Sequence, residues 1–409
     1  MTTIDSQPTT THPHRGVRQD ILDNVEKILP VLARNADRTE TERKLPDESW
    51  NALIESDALR IWQPRRFGGQ EANYRTYVDV TVKVAGACGS SGWLCFILNH
   101  TDWQLGGMSL AAQEAVWGNG LDAKILGPLS PAPGVQARRV DGGTVVSGEW
   151  PYSSGSERAK FALIGYPVVT PEGIPYMECG LISLDVVSEI KDTWFVAGMA
   201  GTNSNTIVVP ETFIPDEHLI TMPEMITGQF RTPFTEEPLY RQDVATVFHV
   251  ATLPPVLGLA KAAFDLTREK ITTKNRPLTY TMYTDATKAP NIQAAMAEAG
   301  WLIDTALEQT RAIADDLDAR AEAGVPVEPV ERARHIMQIA KAHRSCRTAM
   351  DLVLDVGGAG SFASGNPVQR MWRDMSVASR HGLSVPGVKE ELYGRALLGA
   401  DEQQMTPIR

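Results

Sequence analysis

The period of the apolar residues changes twice along this chain, and few architectures satisfy that order. It is helical at first, turns short and β-like near residue 123, and returns to helical near 240. In the first stretch Ile21, Leu22, Val25, Ile28, Leu29 and Leu32 recur at helical spacing, and Pro30 is expected to kink or divide that helix. Leu45-Pro46-Asp47 opens a second helix, with Asp47 as its N-cap before Trp50, Leu53 and Ile54. Phe67-Gly68-Gly69 marks a turn, and the spacing predicts further helices over Val78–Ala87 and about Trp93–Gln104. In the middle stretch Val135–Val140 and Thr144–Trp150 flank the hairpin signal Asp141-Gly142-Gly143. Short β-rich runs follow at Phe161–Val169, Cys179–Val187 and Asn205–Val209, as in a small antiparallel barrel or sandwich. In the last stretch Ile336, Ile339, Ala340, His343, Cys346 and Met350 make one apolar stripe, entered through the loop Gly324-Val325-Pro326.

With 409 residues the chain exceeds one ordinary core, so two or three subdomains are expected. The expected boundaries are a disordered tail over 1–16, a helical domain over 17–122, a β domain over 123–228 and a helical bundle over 229–409. The net charge of −11 speaks against a nucleic-acid partner, which calls for a basic surface. Cys88, Cys95, Cys179 and Cys346 show neither CxxC nor zinc-like spacing and read as free buried thiols. The polar tail lacks the apolar core of a secretion signal. No uninterrupted apolar run approaches the length of a membrane span, so the expectation is a cytoplasmic protein without membrane contact. His12 and His14 belong to the tail and read as disordered rather than metal-binding.

Several chemistries are missing from the sequence. It contains no GxGxxG between strand and helix, no Walker A, no HExxH and no GxSxG elbow. Gly357-Gly358-Ala359-Gly360 follows a helical stripe, not a strand, so a nicotinamide site is not expected. Reducing equivalents must then arrive on another carrier.

Five motifs in order resemble one family. Gly357-Gly358-Ala359-Gly360, Arg373-Asp374, His381 and Leu392-Tyr393-Gly394-Arg395 resemble the flavin-holding C-terminal helices of the acyl-CoA dehydrogenase fold. Many dehydrogenases of that fold carry a catalytic glutamate where Tyr393 stands, and a phenol with a pKa of about 10 is no substitute at neutral pH. Pro46-Asp47-Glu48-Ser49-Trp50 through Pro64-Arg65-Arg66-Phe67-Gly68-Gly69, Gly89-Ser90-Ser91-Gly92-Trp93 with His100-Thr101-Asp102-Trp103, Gly148-Glu149-Trp150-Pro151-Tyr152-Ser153-Ser154-Gly155, and Asp192-Thr193-Trp194 through Asn205 resemble the two-component flavin-dependent monooxygenases. The resemblance implies a mostly α, α+β chain with an N-terminal helical domain, a middle β-barrel domain and a C-terminal four-helix bundle. It implies an oxygenase that receives FADH2 or FMNH2 from a separate NAD(P)H-dependent flavin reductase. Molecular oxygen would be held as a C4a-hydroperoxide, and a small aromatic substrate would be hydroxylated. The proposed assembly is a homotetramer.

The same resemblance distributes roles. Ser153 falls where the family sets a hydroxyl against flavin N5, with Ser154 as the reserve. On the residues alone both simply end a strand, where hydroxyls often cap backbone groups. Trp150 reads as core or as a flank of the flavin ring. His381 occupies the position of a histidine near flavin C4a, on the helix that begins at Arg373, and could hold or move a proton near neutral pH. His100 reads as catalytic or as a hydrogen-bonded core residue. His249, His335 and His343 look structural, and His218 falls on a loop. Arg276, Arg373 and Arg395 would hold flavin phosphates, partly across a subunit interface, unless they are ordinary salt-bridge partners. Gly357 and Gly358 would let backbone approach the cofactor. Trp93, Trp103 and Phe248 read as core before aromatic pocket. The lack of an arginine near His100–Trp103 favours an indole or fused-ring aromatic over a phenol. The rivals are an acyl-CoA dehydrogenase with tightly bound FAD, taking its base from Glu236, Glu237 or Asp243, and a non-catalytic flavin-fold binding protein.

Overall fold

A computed structural model describes residues 16–118, 123–170, 172–274 and 277–400. The tail expected over 1–16 falls almost wholly outside the described residues, and so does Arg276.

Six helices come first: α1 (Gln19–Arg34), α2 (Ala36–Glu42), α3 (Asp47–Glu55), α4 (Tyr74–Ala87), α5 (Gly89–Gly106) and α6 (Leu110–Trp117). Pro30 does not divide α1, which runs on to Arg34. The break comes at Asn35, whose N–H bonds back to the carbonyl of Val31. Pro46, not Asp47, holds the N-cap position of α3. Asp47 is the first helical residue, where its charge still meets the positive helix end and takes Arg158 from the β segment.

The helix that matters most is α5. Every residue in it except Ile97 is buried, so it is a core helix with no solvent face. Small residues let it start earlier than its apolar period suggests. A Cβ on Gly92 would fall 2.3 Å from that of Ala85 on α4. Its one charged residue, Asp102, is 3.5 Å from the buried ammonium of Lys124, which also donates to the carbonyl of Leu59.

Eight strands follow: β1 (Ile125–Leu126), β2 (Gln136–Val140), β3 (Gly143–Ser153), β4 (Phe161–Val169), β5 (Pro175–Ser183), β6 (Glu189–Lys191), β7 (Asn205–Pro215) and β8 (Leu219–Thr221). They form two four-stranded sheets, ordered β1-β4-β5-β8 and β2-β3-β7-β6. The expected hairpin pairs β2 with β3, Val140 opposite Gly143. Val146, Trp150, Ile207 and Val209 of one sheet pack against Ile164, Tyr166, Ile182 and Leu219 of the other.

The last third contains α7 (Met222–Ile226), α8 (Val244–Val250), α9 (Leu253–Thr273), α10 (Pro290–Ala323), α11 (Pro329–Gly357), α12 (Pro367–Ala378) and α13 (Pro386–Leu398). Gly324 closes α10 in the left-handed conformation (φ +67°), and Pro329 opens α11, consistent with the expected loop. α4 lies on α9 closely enough that a Cβ on Gly258 would meet the Val82 carbonyl oxygen at 2.3 Å. One hydrophobic core runs from Ile21 through α4 and α5 to Met375 on α12. The two helical thirds therefore share a single interior. The stretch Val244–Thr273 is long and apolar enough to cross a membrane, but 83% of its most apolar window is buried inside the protein, as in a core helix.

Candidate active site

At the end of β3 the pairing with β7 slips between Trp150 and Ser153, and Tyr152 takes φ +60°. Met199 and Asn203, on the loop facing this end, also have positive φ. Non-glycine residues in that region cost about 1–3 kcal/mol each and are found where the surroundings hold them for a purpose. Ser153 Oγ donates to the Trp150 carbonyl at 3.0 Å, which caps the bulge and leaves the oxygen free to accept. Ser154 starts a hydroxyl chain. Its Oγ is 2.7 Å from Ser204 Oγ, Ser204 is 2.7 Å from Thr202 Oγ1, and Thr202 donates to the Met199 carbonyl. The Met199 N–H donates to Asp374 Oδ1 at 2.5 Å. Asp374 is buried on α12 beside Gly89, where a Cβ would meet Oδ2 at 2.7 Å. Burial pushes its carboxyl up to about 6, against the pull of the Met199 N–H. Strand end, loop, α12 and the start of α5 are thus fastened at one point.

Two histidines meet beyond that point. His100 on α5 is ringed by Phe248 at 4.5 Å, Trp103 at 5.5 Å and Phe96 at 5.9 Å. Among the described residues its buried Nε2 has no partner. His381 stands 5.7 Å from Trp93 and 6.4 Å from Phe96, so Phe96 touches both imidazoles. Here the structure departs from the sequence reading: α12 ends at Ala378, and His381 caps the short turn Gly382–Ser384. Its Nδ1 accepts from the Leu383 N–H at 3.4 Å, so the neutral ring carries its proton on Nε2. Burial lowers His381 to about 4. Burial, and then the charge of His381, lower His100 to about 3. Both are neutral at pH 7. Trp93, Trp103 and Phe248 are core residues, and they are also the walls around this pair.

Sequence reasoning set aside His249 and His343 as structural, and the fold carries both to the same junction. His343 Nε2 lies 3.1 Å from Thr252 Oγ1 and 3.2 Å from Ser384 Oγ. His249 Nε2 lies 2.5 Å from Lys389 Nζ. The only sequence signal was the helical phase of His343 in its apolar stripe, and nothing local marked Lys389.

Other assignments change. The Trp150 indole is fully buried between the two sheets and donates to the Gly165 carbonyl at 2.8 Å, so its side chain serves the core. Arg373 is clamped in a bidentate pair on Glu40 and also donates to the Ala197 carbonyl, which commits its charge inside the subunit. Arg395 pairs with Glu391 one turn away. A Cβ on Gly357 would push aside the Ser361 hydroxyl at 1.9 Å, while Gly358 has φ +62° and open space above it. These two glycines border separate surface clefts. One, of about 410 Å³, is lined by Asp351, Asp355, Phe362 and Trp372. The other, of about 250 Å³, is lined by Lys270, Lys274, Ser361 and Asn366. The second has Lys270 and Lys274 beside glycine backbone, with Glu269 on the same lining, and neither lysine figured in the sequence reading.

Residues 250–386 match the acyl-CoA dehydrogenase C-terminal domain family. The oxygenase subunit HsaA of a flavin-dependent monooxygenase from Rhodococcus jostii (strain RHA1) is 32% identical over 383 residues, covering 92% of this chain and 98% of that protein. This chain belongs to the oxygenase subunits of the flavin-dependent monooxygenases. The oxygenase component of an FADH2-dependent resorcinol hydroxylase from Rhizobium sp. (strain MTP-10005) is 29% identical over 418 residues, covering 97% of each chain. The solved structure of XiaF from a Streptomyces species, in complex with FADH2 and glycerol, superposes with a TM-score of 0.87 at 29% identity over 94% of this chain and 96% of that one. The oxygenase is thus one half of a two-component system, and its reduced flavin comes from a separate reductase.

The residues present fit a flavin. Among the described residues, Ser91 Oγ on α5 and Ser379 Oγ just after α12 are buried and unpartnered. Each such atom costs about 1–3 kcal/mol unless something bonds to it, and a planar ring with polar edges does so. Ser153, Ser154 and Ser91 would hold that ring. The alternative dehydrogenase bases are all engaged elsewhere in the oxygenase. Glu236 pairs with Arg241, Glu237 with Arg66, and Asp243 with Arg332 while capping α8. Tyr393 packs against Ala245 and Leu392.

Proposed function

We propose that this oxygenase uses FADH2 to hydroxylate an electron-rich ring bearing an N–H or O–H, an indole or fused-ring aromatic first and a phenol second, held between His100 and His381. The observation that carries this reading is the pair of neutral imidazoles joined by Phe96 inside uncharged aromatic walls. Reduced flavin supplies the electrons that split oxygen, one atom entering the ring and the other leaving as water. The protein contributes three things. Trp93, Phe96, Trp103 and Phe248 exclude water, which would otherwise divert the oxidant to hydrogen peroxide. His381 Nε2–H holds a proton in a dry site, ready to move as charge develops. His100 Nε2, buried without a partner, orients the substrate's N–H or O–H. Orientation of this kind is worth several orders of magnitude in rate.

The oxygenase is further proposed to act as a homotetramer, closed through the helical third. Trp301, Leu397 and Leu398 are exposed there, at 61%, 60% and 86%, and large exposed apolar groups mark association surfaces. The deciding experiment supplies reduced FAD and reduced FMN, with oxygen, to a panel of indoles and phenols. It measures hydroxylated product against hydrogen peroxide. Product from a member of either class, with FAD preferred, supports the reading. Peroxide alone across the panel refutes it.

A further inference from the structure

Lys389 sits in the first turn of α13 with its side chain buried, 4% exposed. Its Nζ lies 2.5 Å from His249 Nε2. On the other side of that ring, His249 Nδ1 is 2.7 Å from the Ala245 carbonyl. A carbonyl only accepts, so Nδ1 carries the proton and Nε2 accepts from the lysine. The histidine therefore occupies one of three ammonium donors and neutralises none of the charge. Among the described residues Lys389 forms no ion pair, and its neighbour Glu390 pairs with Lys341 instead. Fully buried lysines are almost always paired, and an uncompensated buried charge costs several kcal/mol.

Three connections join this group to the site described above. His249 directly follows Phe248, whose ring is 4.5 Å from His100. Thr252 lies one turn further on and bonds His343 and Ser384. Ser384 ends the turn capped by His381, after which the chain enters α13. An unmatched cation with two spare donors is thus joined through His249 to the helix that carries Phe248, the wall facing His100.

We propose that Lys389, held by His249, binds an acidic oxygen on the aromatic substrate, a carboxylate or acidic phenol, and so selects acidic aromatics over neutral ones of the same shape. This rests on the aromatic hydroxylation proposed above and names the substrate class for the same site. A carboxylate sharing a buried lysine makes charge-assisted hydrogen bonds that an amide cannot match.

The test uses matched pairs, 4-hydroxyphenylacetate against its amide and indole-3-acetate against its amide, with the full chain, reduced FAD and oxygen. The wild type is expected to favour the acid of at least one pair by tenfold or more in kcat/KM, and Lys389→Met to bring that ratio near one. Acids that bind and react no better than their amides overturn the inference, as does a ratio that survives the substitution. Hydroxylation of the amides in either case leaves the underlying activity standing. A loss of reduced-FAD affinity in the variant with an unchanged acid-to-amide ratio assigns Lys389 to the cofactor and also overturns it.

Should Lys389→Met fail to fold, the wild type alone decides. Burial lowers Lys389 to about 8. His249 faces it from α8, and His343 from α11 and His381 from the preceding turn interact in turn with His249; all three are neutral above pH 7 because burial lowers them to about 3, 3 and 4. The acid preference is therefore expected to fall at least tenfold between pH 7 and 9.5 as the lysine loses its proton. A preference constant over that range counts against the lysine.

Discussion

The imidazole of His100 lies 4.5 Å from the phenyl ring of Phe248, at 84° to it. This edge-to-face contact ties the buried helix α5 to α8. Such pairs contribute about 0.5–1.5 kcal/mol beyond area burial, and here the contact also sets the direction of an unpartnered nitrogen. Phe248→Leu keeps most of the volume and removes the ring. Product formed per flavin oxidised is expected to drop severalfold, with reduced-FAD affinity changing less than threefold. A variant that couples as well as the wild type would mean that His100 is held by something else.

His381 closes the opposite side. His381→Ala is expected to bind reduced FAD normally while hydroxylated product falls at least tenfold and hydrogen peroxide rises to match. Acid–base groups in such positions contribute about 10²–10⁴ in rate. Stopped-flow consumption of reduced flavin, paired with product and peroxide assays, separates this outcome from a simple loss of binding.

Burial makes the histidines insensitive to pH in the physiological range. His100 and His343 are lowered to about 3 and His381 to about 4. Coupling is therefore expected to be flat from pH 6 to 8, without the inflection near 6.5 that an exposed histidine produces.

The same groups tie stability to pH. Each native value lies below the unfolded one, so below pH 6.5 the unfolded chain binds more protons. Stabilisation fully present above 6.5 is then lost as pH falls toward 4, at about 1.4 kcal/mol per pH unit for each histidine. Asp374, raised to about 6, works in the opposite sense, so a single variant isolates the effect. The stability gap between the wild type and His343→Gln, measured by urea unfolding at pH 7.5 and 5, should narrow as the pH drops. A constant gap would show that water reaches His343.

Gly198 lies where the loop bearing Met199 crosses α12. A Cβ there would sit 2.2 Å from the Arg373 carbonyl oxygen and 2.6 Å from the Asp374 N–H nitrogen. Both are backbone atoms and cannot swing aside. Gly198→Ala is expected to destabilise the protein by about 1–3 kcal/mol, the usual range for overpacking, and to weaken reduced-FAD binding because the loop loses its Asp374 anchor. Thermal melts with and without reduced FAD give both quantities.

Much of this was legible in one dimension. Periods of 3.6 and 2 report which face of an element is buried, so α1, α11, the β2–β3 hairpin and β4 could be read from local spacing. The ordered motifs carried the family because each combines turn glycines with a few polar residues at set offsets. Helix ends were read less well. Pro30 lies inside α1, and α5 begins four residues before its first tryptophan because Gly89 and Gly92 allow contacts with Asp374 and Ala85 that no local pattern encodes.

The sequence by itself determined the order of helical and β segments and, through its ordered motifs, the family to which the chain belongs. Tertiary structure alone decided that Arg373 spends its charge on Glu40, that Trp150 belongs to the sheet core, and that Lys389, 140 residues along the chain from His249, is its partner. The reason is physical: periodicity records whether a side chain is buried. Which distant group it meets, and what charge or proton it then holds, depends on how the helices cross.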